Sequence, residues 1–310
     1  MNQRLTLPTV IFLTIPPLLW AGNAVVGRLM ATVAPPITLN FLRWALAFVF
    51  LLPFASWVLK RGSPLWQYWK RFALLGLLGV GCYNALQYLA LKTSTALNVT
   101  LIASSMPVWM IGVGALFFGQ RITARQILGA LLSIAGVLVV LSRGDWEVLT
   151  AVRLVPGDVY VLVAALAWAF YSWLLTQSDK DPPAIRKDWA AFLMAQIVMG
   201  MAWSGLFAAG EWTLTDPHIE IGWPLAAALV YIAIGPAILA YRYWGLGVQR
   251  AGPNMAAFFS NLTPLFAAIL SAAFLGELPH VYHVIAFVMI VGGIVVSSRL
   301  ESLDCGSSAQ

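Results

Sequence analysis

Ten apolar stretches follow one another along the 310 residues, each long enough to cross a bilayer and each joined to the next by a short polar or basic link. They fall near residues 8–30, 37–59, 70–91, 98–118 and 125–142, then 157–177, 188–209, 223–246, 253–275 and 281–298. A hydrocarbon core about 30 Å thick takes roughly 20 residues of helix. Inside it every backbone N–H and C=O must be paired within the protein, which leaves helices or a closed barrel. The runs are continuous, whereas barrel strands alternate over segments of about 10 residues. An all-α polytopic membrane protein with ten transmembrane helices is therefore expected, with no room for a sizeable aqueous domain. The first stretch, behind Arg4, is expected to remain as a span, because Trp20, Asn23 and Arg28 fit poorly with a signal-peptide cleavage site.

Only 10% of the residues are charged, against roughly 25% in an ordinary soluble domain. The 18 Lys and Arg outnumber the 12 Asp and Glu. They lie in short clusters between apolar runs and build no continuous basic face, so membrane lipid and not nucleic acid is the expected surrounding. Their distribution reports topology. Arg4, Lys60, Arg61, Lys70, Arg71, Arg121, Arg125, Lys180, Arg186, Lys187, Arg250 and Arg299 fall on one side, and only Arg28, Lys92, Arg143 and Arg153 on the other. By the positive-inside rule both termini are expected in the cytoplasm of a bacterial-type cell, beneath its inner membrane. Arg43 and Arg242 complete the count within spans. Such residues are costly at membrane depth, and for each of them snorkelling to the nearer interface competes with a role facing substrate.

All the Asp and Glu residues lie in loops, tail or span ends, the segment from Glu211 to Glu220 among them, and His218, His280 and His283 lie near the outer surface. A carboxylate-based proton relay through the membrane is therefore not expected. Paired acids, a His-Glu-x-x-His helix, a Gly-x-Ser-x-Gly elbow and a phosphate-binding Gly-x-x-x-x-Gly-Lys-Ser/Thr loop are all missing from the sequence, so neither an enzyme nor a nucleotide-driven pump is expected. Cys82 and Cys305 are too unlike in setting to form a disulfide framework or a metal site. No cofactor or metal is expected.

Sliding the chain by 157 residues lays Pro107 on Pro264, Phe117-Phe118-Gly119-Gln120 on Phe274-Leu275-Gly276-Glu277, and Gly136 on Gly293. A slide of about 148 lays Trp20-Ala21 on Trp168-Ala169. Two five-helix repeats, 1–143 and 157–299, with a cytoplasmic tail at 300–310, account for this. An odd number of spans per repeat puts the second upside down relative to the first, a recurrent transporter design with the site near the midplane.

The stretch Leu19-Trp20-Ala21-Gly22-Asn23, with Pro36-Ile37-Thr38-Leu39-Asn40-Phe41-Leu42-Arg43-Trp44, resembles the opening of EamA-type members of the drug/metabolite transporter superfamily. Ser105-Met106-Pro107 with Gly119-Gln120, and Leu262-Thr263-Pro264-Leu265 with Gly276-Glu277, extend the likeness over nearly the whole chain. Gln120 stands where many members carry Glu. The resemblance implies ten helices in a basket of two inverted repeats and export of small metabolites, commonly amino acids. Within the family the sequence looks most like the YddG-type aromatic amino acid exporters.

Helical spacing then suggests a cavity. Trp20, Asn23 and Gly27 share a face of the first span, and Trp168, Tyr171 and Ser172 hold the matching place in the sixth. Tyr83 and Gln87 lie on one stripe of the third span, with Asn84 and Tyr88 beside them, while the eighth carries Tyr231, Tyr241 and Trp244. Ser104, Ser105 and Trp109 in the fourth span and Ser260 and Asn261 in the ninth add polar groups. From these we expect Trp20, Asn23, Tyr83, Gln87, Trp109, Trp168, Tyr171, Tyr241, Ser260 and Asn261 to bind substrate: amide and hydroxyl groups for a zwitterionic head, aromatic walls for an apolar side chain. The competing readings are plain helix packing for the aromatics and interhelical hydrogen bonding for Asn, Gln and Ser, which is worth about 0.6 kcal/mol on average. Trp66, Trp69, Trp146, Trp189, Trp212 and Trp223 read instead as an interfacial belt.

Pro107, Pro236 and Pro264 remove backbone donors within spans, and Gly79 lies among the close glycines Gly76 and Gly81. Gly79, Pro107, Pro236 and Pro264 are the expected hinges of spans 3, 4, 8 and 9. A secondary exporter of amino acids and similar small metabolites is the leading reading, with amino acids as its small-molecule partner and no oligomer required. A carrier of sugar phosphates or nucleotide-linked sugars, other drug or metabolite efflux, or a non-transporting scaffold are the alternatives.

Overall fold

In the computed structural model, which describes residues 5–90, 92–275 and 280–298, every regular element is a helix. The long ones are α1 (Leu7–Leu29), α2 (Pro36–Ala55), α3 (Trp69–Ala90), α4 (Ala96–Ser104 and Met106–Phe118), α5 (Ala124–Ser142), α6 (Pro156–Leu174), α7 (Trp189–Leu214), α8 (Trp223–Ser260), α9 (Leu262–Leu275) and α10 (Val281–Ser298). Among the described residues nine helical runs are long and apolar enough to cross a membrane. Leu116, Leu128, Leu131, Val284 and Val288 are 56–81% exposed on their outer faces, a surface that suits lipid and not water. The chain is a multi-pass integral membrane protein. The tail at 300–310, the charges Arg4 and Arg299, and the Gly276-Glu277 pair lie outside the described residues.

Local signals explain where the helices begin. The Thr123 and Gln126 side chains and backbones cap one another at the start of α5, Asp188 accepts from the amides of Ala190 and Ala191 in α7, and Pro36 opens α2 where its missing N–H costs nothing. The sequence misplaces two ends. α7 continues to Leu214, so Glu211 is a helical residue and not part of a loop. Its carboxylate, 5% exposed, accepts from the amides of Ile37 (3.3 Å) and Thr38 (2.8 Å) and caps α2 from across the bundle. The expected link between spans 8 and 9 is likewise mostly helical: the chain turns only at Gly252, whose φ of 80° and ψ of 160° suit a residue without Cβ.

Two helices carry matching irregularities. Gly76–Cys82 in α3 and Ala233–Leu239 in α8 are wound as π-helix, and they begin 157 positions apart. α4 is broken at Ser105, and α9 follows α8 across Asn261. Pro107 thus occupies the first turn of a helix segment, where it lacks no bond, while Pro236 sits inside the second π-helical stretch.

Helix pairing follows the same order. α1 packs on α8 and α9, and α6 on α3 and α4; α2 pairs with α7, and α5 with α10. Exchanging α1 with α6, α2 with α7, α3 with α8, α4 with α9 and α5 with α10 leaves this pattern unchanged. At the α5–α10 crossing the backbones nearly touch. A Cβ on Gly129 would lie 2.8 Å from the Gly293 carbonyl oxygen, and one on Gly293 would lie 2.7 Å from that of Gly129. In α4, by contrast, nothing lies within 4 Å of a Cβ on Gly112. Gly129→Ala is therefore expected to destabilise by about 1–3 kcal/mol through overpacking, whereas Gly112→Ala stabilises slightly. Opposite shifts in the melting temperature of the purified protein check this.

Candidate functional site

Aromatic rings from five helices meet where α1, α2, α3, α6 and α8 converge. Trp168 of α6 is at their centre, 1% exposed. Its ring centroid lies 4.6 Å from Tyr83, 5.0 Å from Tyr171, 5.3 Å from Trp20, and 5.4 Å from both Tyr241 and Trp244. Tyr241 continues the group to Trp44 of α2, edge-on at 4.9 Å. Tilted and edge-to-face pairs of this kind attract beyond their buried area.

The polar atoms of four of these rings are tied to the frame. Tyr171 donates its hydroxyl to Gln196 of α7 (2.9 Å), and the indole N–H of Trp244 donates to the Ser172 hydroxyl (3.1 Å). Tyr241 donates its hydroxyl to the carbonyl of Gly79, and Trp20 donates its indole N–H to the carbonyl of Pro236 (3.3 Å). Gly79 and Pro236 hold the same place in the two π-helical stretches. Winding a helix to the wider π form disturbs the regular pairing of its carbonyls, and here two of them receive bonds from aromatic side chains of other helices. Gly79 also needs its lack of a side chain, since a Cβ would lie 2.7 Å from the Tyr171 ring.

The structure thus brings Trp20, Tyr83, Trp168, Tyr171 and Tyr241 into contact. Asn23, 8% exposed, is one turn from Trp20 and accepts from the Tyr88 hydroxyl at 3.3 Å, while Gln87 lies half-buried one turn past Tyr83. The other candidates stand apart. Trp109 bonds within its own helix to the Ser105 hydroxyl (2.9 Å), and Ser260 bonds back to the Ala257 carbonyl (2.6 Å). Asn261, 1% exposed, donates to the Ser133 hydroxyl at 2.9 Å and joins α5 to the α8–α9 junction. Pro264 is half-buried in the first turn of α9. Tyr231 faces outward, 37% exposed, with its hydroxyl on the Leu19 carbonyl. The six belt tryptophans are all 41–80% exposed.

Trp44, Asn40 and Gln196 were not foreseen at this site. Trp44 follows an intramembrane arginine, and Gln196 is a polar residue deep in an apolar span; both are usable signals. Among the described residues no three of His, Cys, Asp and Glu come together as metal ligands.

Ionic groups sit at the ends of the helices. At one end Asp181, fully buried, pairs with Arg71 (3.0 Å) and Arg186 (2.9 Å). Burial draws the Arg186 guanidinium below its usual value, and Asp181 opposes that shift. At the other end Lys92 lies 3.6 Å from Glu211, and Asp158 accepts from Asn98 (3.0 Å), the Val155 amide (2.9 Å) and the Ser94 hydroxyl. Near Glu211 a cavity of about 400 Å³ opens among Ile37, Cys82, Leu86, Leu206 and Phe207. Its lining is almost entirely apolar.

A sequence profile of the EamA-like transporter family matches residues 7–142 and again 155–299. An uncharacterized transporter of Archaeoglobus fulgidus is 26% identical over 293 residues, spanning 94% of this chain and 98% of its own. The aromatic amino acid exporter YddG of Ancylobacter novellus is 24% identical over 243 residues, 78% of either chain. A solved crystal structure superposes with a TM-score of 0.73 at 22% identity, covering 94% of this chain and 96% of the other, which is a likeness of fold.

Proposed function

This chain belongs to the EamA-like transporter family, and on that premise we propose that it exports amino acids, aromatic and other mostly apolar ones, together with similar small metabolites. The observation that carries the reading is the ring cluster, in which Trp20, Tyr83, Trp168, Tyr171, Tyr241 and Trp244 gather beside two π-helical stretches. Rings offer a wall for an apolar side chain and a face for an ammonium group. The carbonyls of Gly79 and Pro236 each keep a second lone pair for the same cation. The similarity to a named aromatic amino acid exporter points the same way.

In this reading residues 1–143 and 157–299 are inverted repeats, both termini face the cytoplasm, and the site opens to each side of the inner membrane in turn. Gly79, Pro107, Pro236 and Pro264 are the hinges. Proton coupling through a titrating carboxylate is not part of this reading. The buried acids Glu211 and Asp158 hold helix starts, and Asp181 is taken up by two arginines. A sugar-phosphate carrier calls for several inward cations; of the two arginines within spans, the Arg242 guanidinium lies 4.0 Å from the ring of the half-exposed Trp189 and outside the cluster, and Arg43 lies beside it.

Counterflow in proteoliposomes tests the proposal. Vesicles loaded with unlabelled phenylalanine are expected to accumulate labelled phenylalanine saturably, methionine and threonine to compete, and an imposed pH gradient to leave the exchange unchanged. Absence of exchange for every amino acid would overturn the reading.

A further inference from the structure

Arg43 lies about 10 Å along α2 from Pro36, at a rise of about 1.5 Å per residue, and is only 1% exposed. It does not snorkel. One Nη donates to the Asn40 side-chain oxygen at 3.2 Å, and the guanidinium carbon lies 4.9 Å from the centroid of the neighbouring Trp44 ring. No Asp or Glu among the described residues pairs with it, and its Nε has no acceptor. The indole N–H of Trp44, equally buried, lacks one as well.

Elsewhere the protein answers a buried guanidinium fully. Arg71 and Arg186 share Asp181 and also donate to the carbonyls of Leu174 and Leu175. Arg43 departs from that pattern inside a span, where an uncompensated cation is costly. Its surroundings also hold it in place beside the ring cluster. Asn40 donates its own amide to the Val80 carbonyl (3.4 Å), in the first π-helical stretch, and Trp44 meets Tyr241, whose hydroxyl goes to Gly79 of that stretch.

We propose that Arg43 is the anchor for the substrate's carboxylate, with Asn40 orienting the guanidinium and the Trp44 indole N–H as a second donor. The Nε–H and an Nη–H on one edge of the guanidinium match the two oxygens of a carboxylate. A substrate held there directs its side chain toward Tyr241 and Trp168. The inference deepens the amino-acid reading given above and rests on it for the transported species. The anion subsite itself is separately testable.

Three ligands divide the question: phenylalanine, phenethylamine, which lacks the carboxylate, and 3-phenylpropionate, which lacks the ammonium. Their binding to the purified full chain is read by thermal stabilisation, and their transport by competition in counterflow. In Arg43→Gln, binding of both carboxylates is expected to weaken about 10- to 100-fold, the worth of hydrogen bonds to a charged group, while phenethylamine changes less than about twofold. Arg43→Lys should fall between. Trp44→Phe keeps the ring and loses the N–H; it should weaken the carboxylates alone, by roughly threefold to tenfold, and serves if Arg43→Gln does not fold. Equal loss of all three ligands in the folded variants, or an unchanged preference for the carboxylates, overturns the proposal. So does failure of both carboxylates to bind the wild type. If the wild type binds 3-phenylpropionate through Arg43 and neither binds nor exchanges any amino acid, the subsite stands and the amino-acid reading falls.

Discussion

Trp168→Ala is expected to abolish amino-acid exchange and to destabilise the protein by about 3–5 kcal/mol, the usual cost of truncating a buried tryptophan. The indole touches five other rings, and its loss opens a hole that four of them cannot fill without leaving a tethered position. Tyr171 is tied to Gln196, Tyr241 to Gly79, Trp20 to Pro236 and Trp244 to Ser172. Because a fall in stability alone would not separate packing from function, the informative variant is Trp168→Phe, which keeps a ring and loses part of the surface. It should retain the fold while slowing counterflow about tenfold or more, an effect of about 1.4 kcal/mol or above. Trp173→Phe is its control. Trp173 is as well buried, stacks on Phe118 and donates to the Met110 carbonyl at 2.8 Å, away from the cluster. It should lose comparable stability with exchange intact. Equal transport in the two variants would reduce the cluster to a core.

Asp181→Asn is expected to produce the largest loss of stability from a nearly isosteric change. The carboxylate is fully buried and faces two guanidinium groups, at 3.0 and 2.9 Å, that join the start of α3 to the end of α6. Neutralising it leaves two cations facing each other with little water, and unpairing a buried ion of this kind costs about 3–5 kcal/mol. A double-mutant cycle isolates the effect. With Arg71→Gln already in place, Asp181→Asn should cost far less, because one of the repelling charges has gone. Additive losses in melting temperature would show that the three groups act independently.

These effects trace to residues that the sequence made legible to different degrees. The pairing of Trp20 with Trp168 was readable, since a slide of about 148 residues superposes them and helical spacing gives each a companion polar residue. Tyr231 and Tyr241 looked alike, ten positions apart on one span. One turned out to face outward, and the other to be 4% exposed in the cluster. Around Tyr231 periodicity fails because Trp223–Ile232 is apolar on all sides, and such a helix does not say which stripe meets protein and which meets lipid. Asn261 illustrates a second limit. A polar side chain in a span must find a partner, but only packing shows that the partner is Ser133.

What the sequence by itself determined is the class: helices, because no other form satisfies the backbone in lipid across so many continuous apolar runs, and a membrane protein with almost no charge to spare for water. The glycines around Gly79 and the proline at Pro236 marked where two helices would depart from regularity. Only the tertiary structure decided how. It wound both segments as π-helix, aimed the Gly79 and Pro236 carbonyls at Tyr241 and Trp20, and placed Arg43 against Asn40 and Trp44 with no acid among the described residues paired to it. Those outcomes depend on contacts between residues up to 216 positions apart, and no local pattern carries that information.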